Sequence, residues 1–359
     1  MLLKKGAMVR RRFVFFLIAG VLAGPAVYSL TRPDPAEQAK KSLTLVSDEY
    51  RLDKIYRSME GPMSIASGIH FANRDKSRVQ WVTGLETQVV DATEETPISQ
   101  EFFCHSNLTF AEHSVTPSAV NQRFGGKTHF DWRLFTLAPG RLSIELPPGF
   151  GVPVPADTPL DYLTMSLNLN PHSNPVNVRM RTTVHTIAAG EPGAPSKALF
   201  RRALYVLQPK DPSAQMGPAC MANSMQHIGA GCAEFKPPEG AVNHWIVTPG
   251  HHVYKTEITP QLNLPFDTTV HYATIHVHPF ARAMELRDLT TGQIILQLHS
   301  RDWADRLGVA HVDEIKSISG IPIFRDHRYE LSAEYDNTSP SKTDAMAILY
   351  LYLLEKNLS

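Results

Sequence analysis

Net charge is absent from this chain: 35 Lys and Arg balance 35 Asp and Glu over 359 residues. That balance leaves no electrostatic footprint for nucleic acid. No convincing amphipathic helix follows residue 60, which argues against a helical domain. Cysteine is scarce, with only Cys104, Cys220 and Cys232. Hydrophobic residues make up 43%, enough for packed cores and too many for a disordered chain. The 27 prolines and 21 glycines favour short strands joined by turns.

The N-terminus reads as a targeting segment. Lys4, Lys5 and Arg10 to Arg12 precede an apolar run from Phe13 to Leu30. Such a pattern suits a secretory signal or a single membrane anchor through residues 13–30. No cysteine lies near the run, which excludes a lipoprotein anchor, and Arg10-Arg11-Arg12-Phe13 weakly resembles a twin-arginine signal. Residues 1–33 are set aside from fold reasoning. The rest is expected to face a space outside the cytoplasm: periplasmic, secreted or membrane-anchored. In such a compartment Cys220 and Cys232 are expected to form a local disulfide. The alternative is a metal loop with Met221, Met225 and His227.

Residues 34–77 are polar and mixed and read as a linker. From about residue 78, runs such as Val79-Gln-Trp-Val-Thr, Arg141-Leu-Ser-Ile-Glu-Leu and Asn177-Val-Arg-Met-Arg-Thr-Thr-Val-His alternate or stay apolar over strand lengths. Gly190 to Pro195 marks a boundary, giving a first β-sandwich over 78–195 and a second over 196–359. Leu289-Thr-Thr-Gly292 supplies a hairpin turn in the second. The expected fold is all-β: two antiparallel, jelly-roll-like β-sandwich domains.

One constellation carries chemistry. In Tyr272-Ala-Thr274-Ile-His276-Val-His278, alternation puts both His side chains on one face, beside Tyr272 and Thr274. Met346 follows on a distant strand, in Asp344-Ala-Met346-Ala-Ile-Leu-Tyr350. Two imidazoles and a thioether suit copper in both oxidation states and leave a position open for dioxygen. Asp344 could orient a ligand imidazole through a hydrogen bond, or serve only as a solvated turn residue. The remaining His residues, including His251-His252 after Pro249-Gly250, read as surface or satisfied hydrogen-bonding groups.

The last 110 or so residues resemble the second domain of the copper type II, ascorbate-dependent monooxygenases, the family of peptidylglycine α-hydroxylating monooxygenase and dopamine β-monooxygenase. The resemblance runs from Pro249-Gly-His-His-Val-Tyr-Lys through Thr274-Ile-His276-Val-His278 and Leu286-Arg-Asp-Leu-Thr-Thr-Gly to Thr343-Asp-Ala-Met346-Ala-Ile-Leu-Tyr350. It implies a copper-dependent oxidoreductase that activates dioxygen at His276, His278 and Met346, with an external reductant and a small-molecule or peptide substrate. The family's second copper would fall at Phe103-Cys104-His105, where one His and one Cys stand for two His, and Asn168 takes the third ligand's place. That leaves His105 as the remnant of a second site that is apparently lost. A substrate-binding Arg is replaced by Thr274, while Tyr350 keeps the family's Tyr. Both would border the substrate, and losing the guanidinium argues against a peptide carboxylate. The alternatives are a non-catalytic copper- or ligand-binding protein on the same scaffold, and a sandwich with no metal.

Overall fold

The structure is a computed structural model that describes residues 41–57, 60–72, 75–111, 114–210 and 237–358. The expected targeting segment, Cys220 and Cys232 lie outside the described residues. Among the described residues no helix is long and apolar enough to cross a membrane.

The fold is all-β, as the sequence reading expects. A ten-stranded sheet runs through both halves of the chain. Its main path goes from Lys41–Val46 through Val176–Ala188, Val79–Asp91, Phe150–Pro155, Lys197–Tyr205, Ala347–Leu354 and Thr268–Val277 to Glu314–Ile323. A four-stranded sheet (Met63–Ile69, Leu160–Ser166, Phe103–Phe110, Arg133–Leu137) belongs to the first half. A five-stranded sheet built around Tyr329–Asn337 and Ala281–Asp288 belongs to the second. Nearly all pairings are antiparallel. The exception joins the halves: Lys197 and Ala198 pair in parallel with Phe150 and Gly151.

Each half has its own apolar core, and the handover occurs at adjacent residues. Leu199 packs in the first core, with Phe135, Leu108 and Val184. Phe200 packs in the second, with Leu286, Leu331 and Leu349. The turn region from Gly190 to Pro195 immediately precedes this point.

The stretch 34–77, read as a linker, instead carries three strands. Lys41–Val46 and Tyr50–Leu52 pair with Val176–Ala188, and Met63–Ile69 pairs with Leu160–Ser166. Their polarity has a structural reason. Lys41–Val46 and Met63–Ile69 each end a sheet, and few of their residues are buried. Edge strands are kept polar because an apolar edge would pair with another chain.

The strand Thr268–Val277 positions the chemistry. A bulge between Val270 and Tyr272 resets its alternation. Beyond the bulge, Ala273, Ile275 and Val277 enter the second core, while Tyr272 turns to the first. Its partner Ala347–Leu354 behaves alike: Leu349, Leu351 and Leu353 face the second core, and Tyr352 faces the first. Tyr352 packs 5.3 Å from Phe135, ring centre to ring centre, and its Oη donates to the Leu134 carbonyl at 3.0 Å. The Tyr352→Phe variant should therefore lose about 1 kcal/mol, because that buried carbonyl goes unpaired. Denaturant unfolding with an unchanged slope would measure it.

Candidate metal centre

His276 and His278 share the face of Thr268–Val277 that looks toward the first half. His276 is 1% exposed, and neither ring nitrogen has a hydrogen-bond partner among the described residues. Burial pushes its basicity well below the ordinary imidazole value, and the neighbouring His105, His278 and His244 add to this. His276 is thus neutral, with one N–H and one lone pair that both lack partners. Leaving a buried polar group unpaired costs on the order of 1–3 kcal/mol, so such a group calls for a reason.

His278 marks the end of the strand. Pro279 offers no amide to continue the ladder. Phe280 then takes φ +73°, a left-handed conformation rare for a bulky residue. Its amide donates to Asp302 Oδ2 at 2.9 Å, and its carbonyl accepts from the Asp336 amide at 2.8 Å. These two bonds hold the turn against its strain.

Two further residues converge on His278. The short strand Trp245–Val247 pairs with Thr343–Ala345, which sets His244 beside Asp344. Oδ2 of Asp344 lies 3.2 Å from Nε2 of His244 and 2.8 Å from Nδ1 of His278. His244, His278 and Asp344 offer ligand atoms that all lie within 4.8 Å of one another. Burial alone would raise the Asp344 carboxyl. The nearby His278 and the hydrogen bond from His244 outweigh that and hold it far below the usual carboxylate range. His244 is shifted down, chiefly by burial.

Imidazoles form a row through this region. Ring centres are 5.2 Å apart for His244 and His278, 5.4 Å for His278 and His276, and 4.8 Å for His276 and His105, which stack. His105 comes from Phe103–Phe110 of the first half, so the row crosses between the two cores. Burial pushes His105 down to about 3, with Arg133 and His278 contributing. A bulge in its strand between Phe103 and His105 brings the adjacent Cys104 Sγ to 3.0 Å from His105 Nδ1. A regular strand would have separated these neighbours.

The structure places the other expected site residues as follows. Met346 is buried, one step beyond the pairing of Val277 with Ala347, and so at the level of His278. It packs with Tyr205, Ile348 and Tyr350. Thr274 and Tyr350 are cross-strand partners, each 2% exposed. Thr274 Oγ1 donates to the Asp313 carbonyl, and the Arg201 guanidinium lies 4.5 Å over the Tyr350 ring. Asn168 donates to the Lys54 carbonyl, away from His105's ring stack. Among the described residues, no group of three or more His, Cys, Asp or Glu gathers around His105.

A cleft of about 480 Å³ reaches this cluster, and His244 and Asp344 are part of its wall. The first half contributes Arg57 and Leu169, and the second contributes Phe280 and Lys342. Thr274 and Tyr350 are not part of that wall. Sequence reading missed His244. It stands alone in Asn243-His-Trp245, with no ligand spacing, and only the long-range strand pairing links it to Asp344.

No family model matches the chain, and no curated protein matches it. Among solved structures it is similar to the VP2 subviral particle of infectious bursal disease virus. Identity is 9%, the match covers 91% of this chain and 76% of that chain, and the TM-score is 0.20. A likeness of that size carries no argument about this chain.

Proposed function

We propose that the chain is a metal-dependent oxidoreductase of the copper monooxygenase type, acting outside the cytoplasm. One observation carries the reading: His276 is buried and neutral, and both of its nitrogens lack partners, within a row of imidazoles. The donor set fits copper. His276 and His278 would supply imidazole nitrogen, which suits either oxidation state, and Met346 a thioether, which favours the reduced one. Bound there, copper would supply one-electron exchange with dioxygen.

The chain's own residues do the rest. Asp344 stands 2.8 Å from Nδ1 of His278 and would balance part of the charge of an ion bound at that ring. The burial that depresses His276 keeps protons from competing for its nitrogen. The cleft admits a substrate to the cluster from solvent, with Phe280 as an apolar wall and Arg57 and Lys342 as cations. An external reductant would supply the electrons.

The test is copper per chain by elemental analysis, together with ascorbate-dependent oxygen uptake by the copper-loaded full chain. We expect one ion per chain and an uptake that His278→Ala abolishes while the circular dichroism stays that of a β-protein. Copper retained in His278→Ala would overturn the reading, and two ions per chain would restore a centre at His105. Tight copper binding with no oxygen uptake would leave a copper-binding protein in place of an enzyme.

A further inference from the structure

We propose that His244 is itself a ligand of the ion at this centre, bound beside His278 and positioned by Asp344. This rests on the metal-centre reading above and extends its ligand set of His276, His278 and Met346.

The geometry that leads here is independent of the His276-His278 spacing. His244 is 4% exposed, and its Nε2 donates to Asp344. A neutral imidazole with that nitrogen protonated carries a lone pair on Nδ1. Nδ1 of His244 is buried and has no hydrogen-bond partner among the described residues. A buried lone pair held in orientation by a carboxylate on the opposite nitrogen is how metal-binding imidazoles are prepared.

Asp344 also lies 2.8 Å from Nδ1 of His278, so one carboxylate contacts two imidazoles that sit 5.2 Å apart, centre to centre. Its negative charge also offsets part of the charge of a divalent ion brought into a buried site. His244 and His278 belong to one group of ligand atoms within 4.8 Å of one another, while His276 stands on the other side of His278 and outside that group.

This ligand set changes what Met346 does. Imidazole nitrogen holds divalent copper or zinc without help from sulfur. The thioether then biases the oxidation state and is not needed to retain the oxidised ion. His244 also differs from His276 in access, because His244 forms part of the cleft wall. Removing its ring leaves a hole that a small molecule can enter from solvent.

The experiment is a copper(II) titration of the full chain, followed by electron paramagnetic resonance, in wild type, His244→Gly, Asp344→Asn and Met346→Leu. We expect His244→Gly to weaken copper(II) by at least about tenfold and to alter the hyperfine pattern, with millimolar imidazole restoring both. Asp344→Asn should weaken it by about 10–100-fold, as loss of an orienting partner does. Met346→Leu should leave copper(II) affinity within about threefold of wild type and weaken copper(I). A His244→Gly protein with wild-type affinity and spectrum overturns the proposal. So does a weakened one that imidazole cannot restore while its circular dichroism is native. Failure of the metal-centre reading itself looks different: His278→Ala would then bind copper as wild type does.

Discussion

Metal-free protein is expected to lose stability steeply as the pH falls from about 6.5 toward 3. His105 carries the largest part of this that can be assigned. Its basicity in the folded state is pushed down to about 3, whereas in the unfolded chain it keeps the ordinary value near 6.5. Between those two values the unfolded chain binds a proton that the folded chain refuses. Stability therefore rises with pH across this window and falls when the solution is acidified. The slope is about 1.4 kcal/mol per pH unit for each such group, or roughly 4–5 kcal/mol for His105 across the window. His276 and His244 are shifted in the same direction and add to the slope. A typical domain has only about 5–15 kcal/mol in hand, so unfolding in mild acid follows. Thermal melts of metal-free protein at several pH values from 7.5 to 4 would measure this. Carboxylates also contribute to acid unfolding, so the comparison that isolates the imidazole is His105→Phe. That variant keeps an aromatic ring against His276 and should show a shallower decline. Parallel curves for the two proteins would show that His105 does not resist protonation.

Where the chemistry follows strand alternation, the sequence made it legible. The shared face of His276 and His278 could be read from period two alone, as could the apolar face of Ala273, Ile275 and Val277. The hairpin at Leu289 to Gly292 was equally plain. Gly292 takes φ +75°, a conformation its lack of a side chain permits at no cost. The edge strand Lys41–Val46 was not legible, because its polar residues answer to a solvent face that only the finished sheet defines. His244 was hidden for a different reason. Its partner Asp344 is 100 residues away, and the strand pairing that joins them is three residues long. Thr274 and Tyr350 have the right spacing to flank a substrate. Yet both are buried, with Tyr350 packed among Tyr205, Met346 and Ile348, and no feature of their own strands announces that cover. The bulge that joins Cys104 to His105 is likewise a property of the pairing with Leu160–Ser166.

Replacing His276 by leucine should separate what this residue does for the fold from what it does for function. In the metal-free chain the imidazole contributes little that an apolar side chain of similar size would not. Both nitrogens are buried without partners, and this costs on the order of 1–3 kcal/mol relative to a shape-matched apolar group. The stacked contact with His105 is lost in the variant, which returns about 0.5–1.5 kcal/mol of that gain. The balance is a metal-free His276→Leu protein that is more stable than wild type by about 1 kcal/mol. The same change removes a nitrogen that the ion needs, so copper affinity should fall by at least about a hundredfold, since even an orienting partner is worth 10–100-fold. Opposite signs for stability and binding mark a residue kept for its ligand chemistry at the fold's expense. Chemical denaturation of the metal-free proteins and a copper titration in competition with a chelator give the two numbers. If the variant is less stable than wild type and still binds copper, His276 is a packing residue and the centre lies elsewhere.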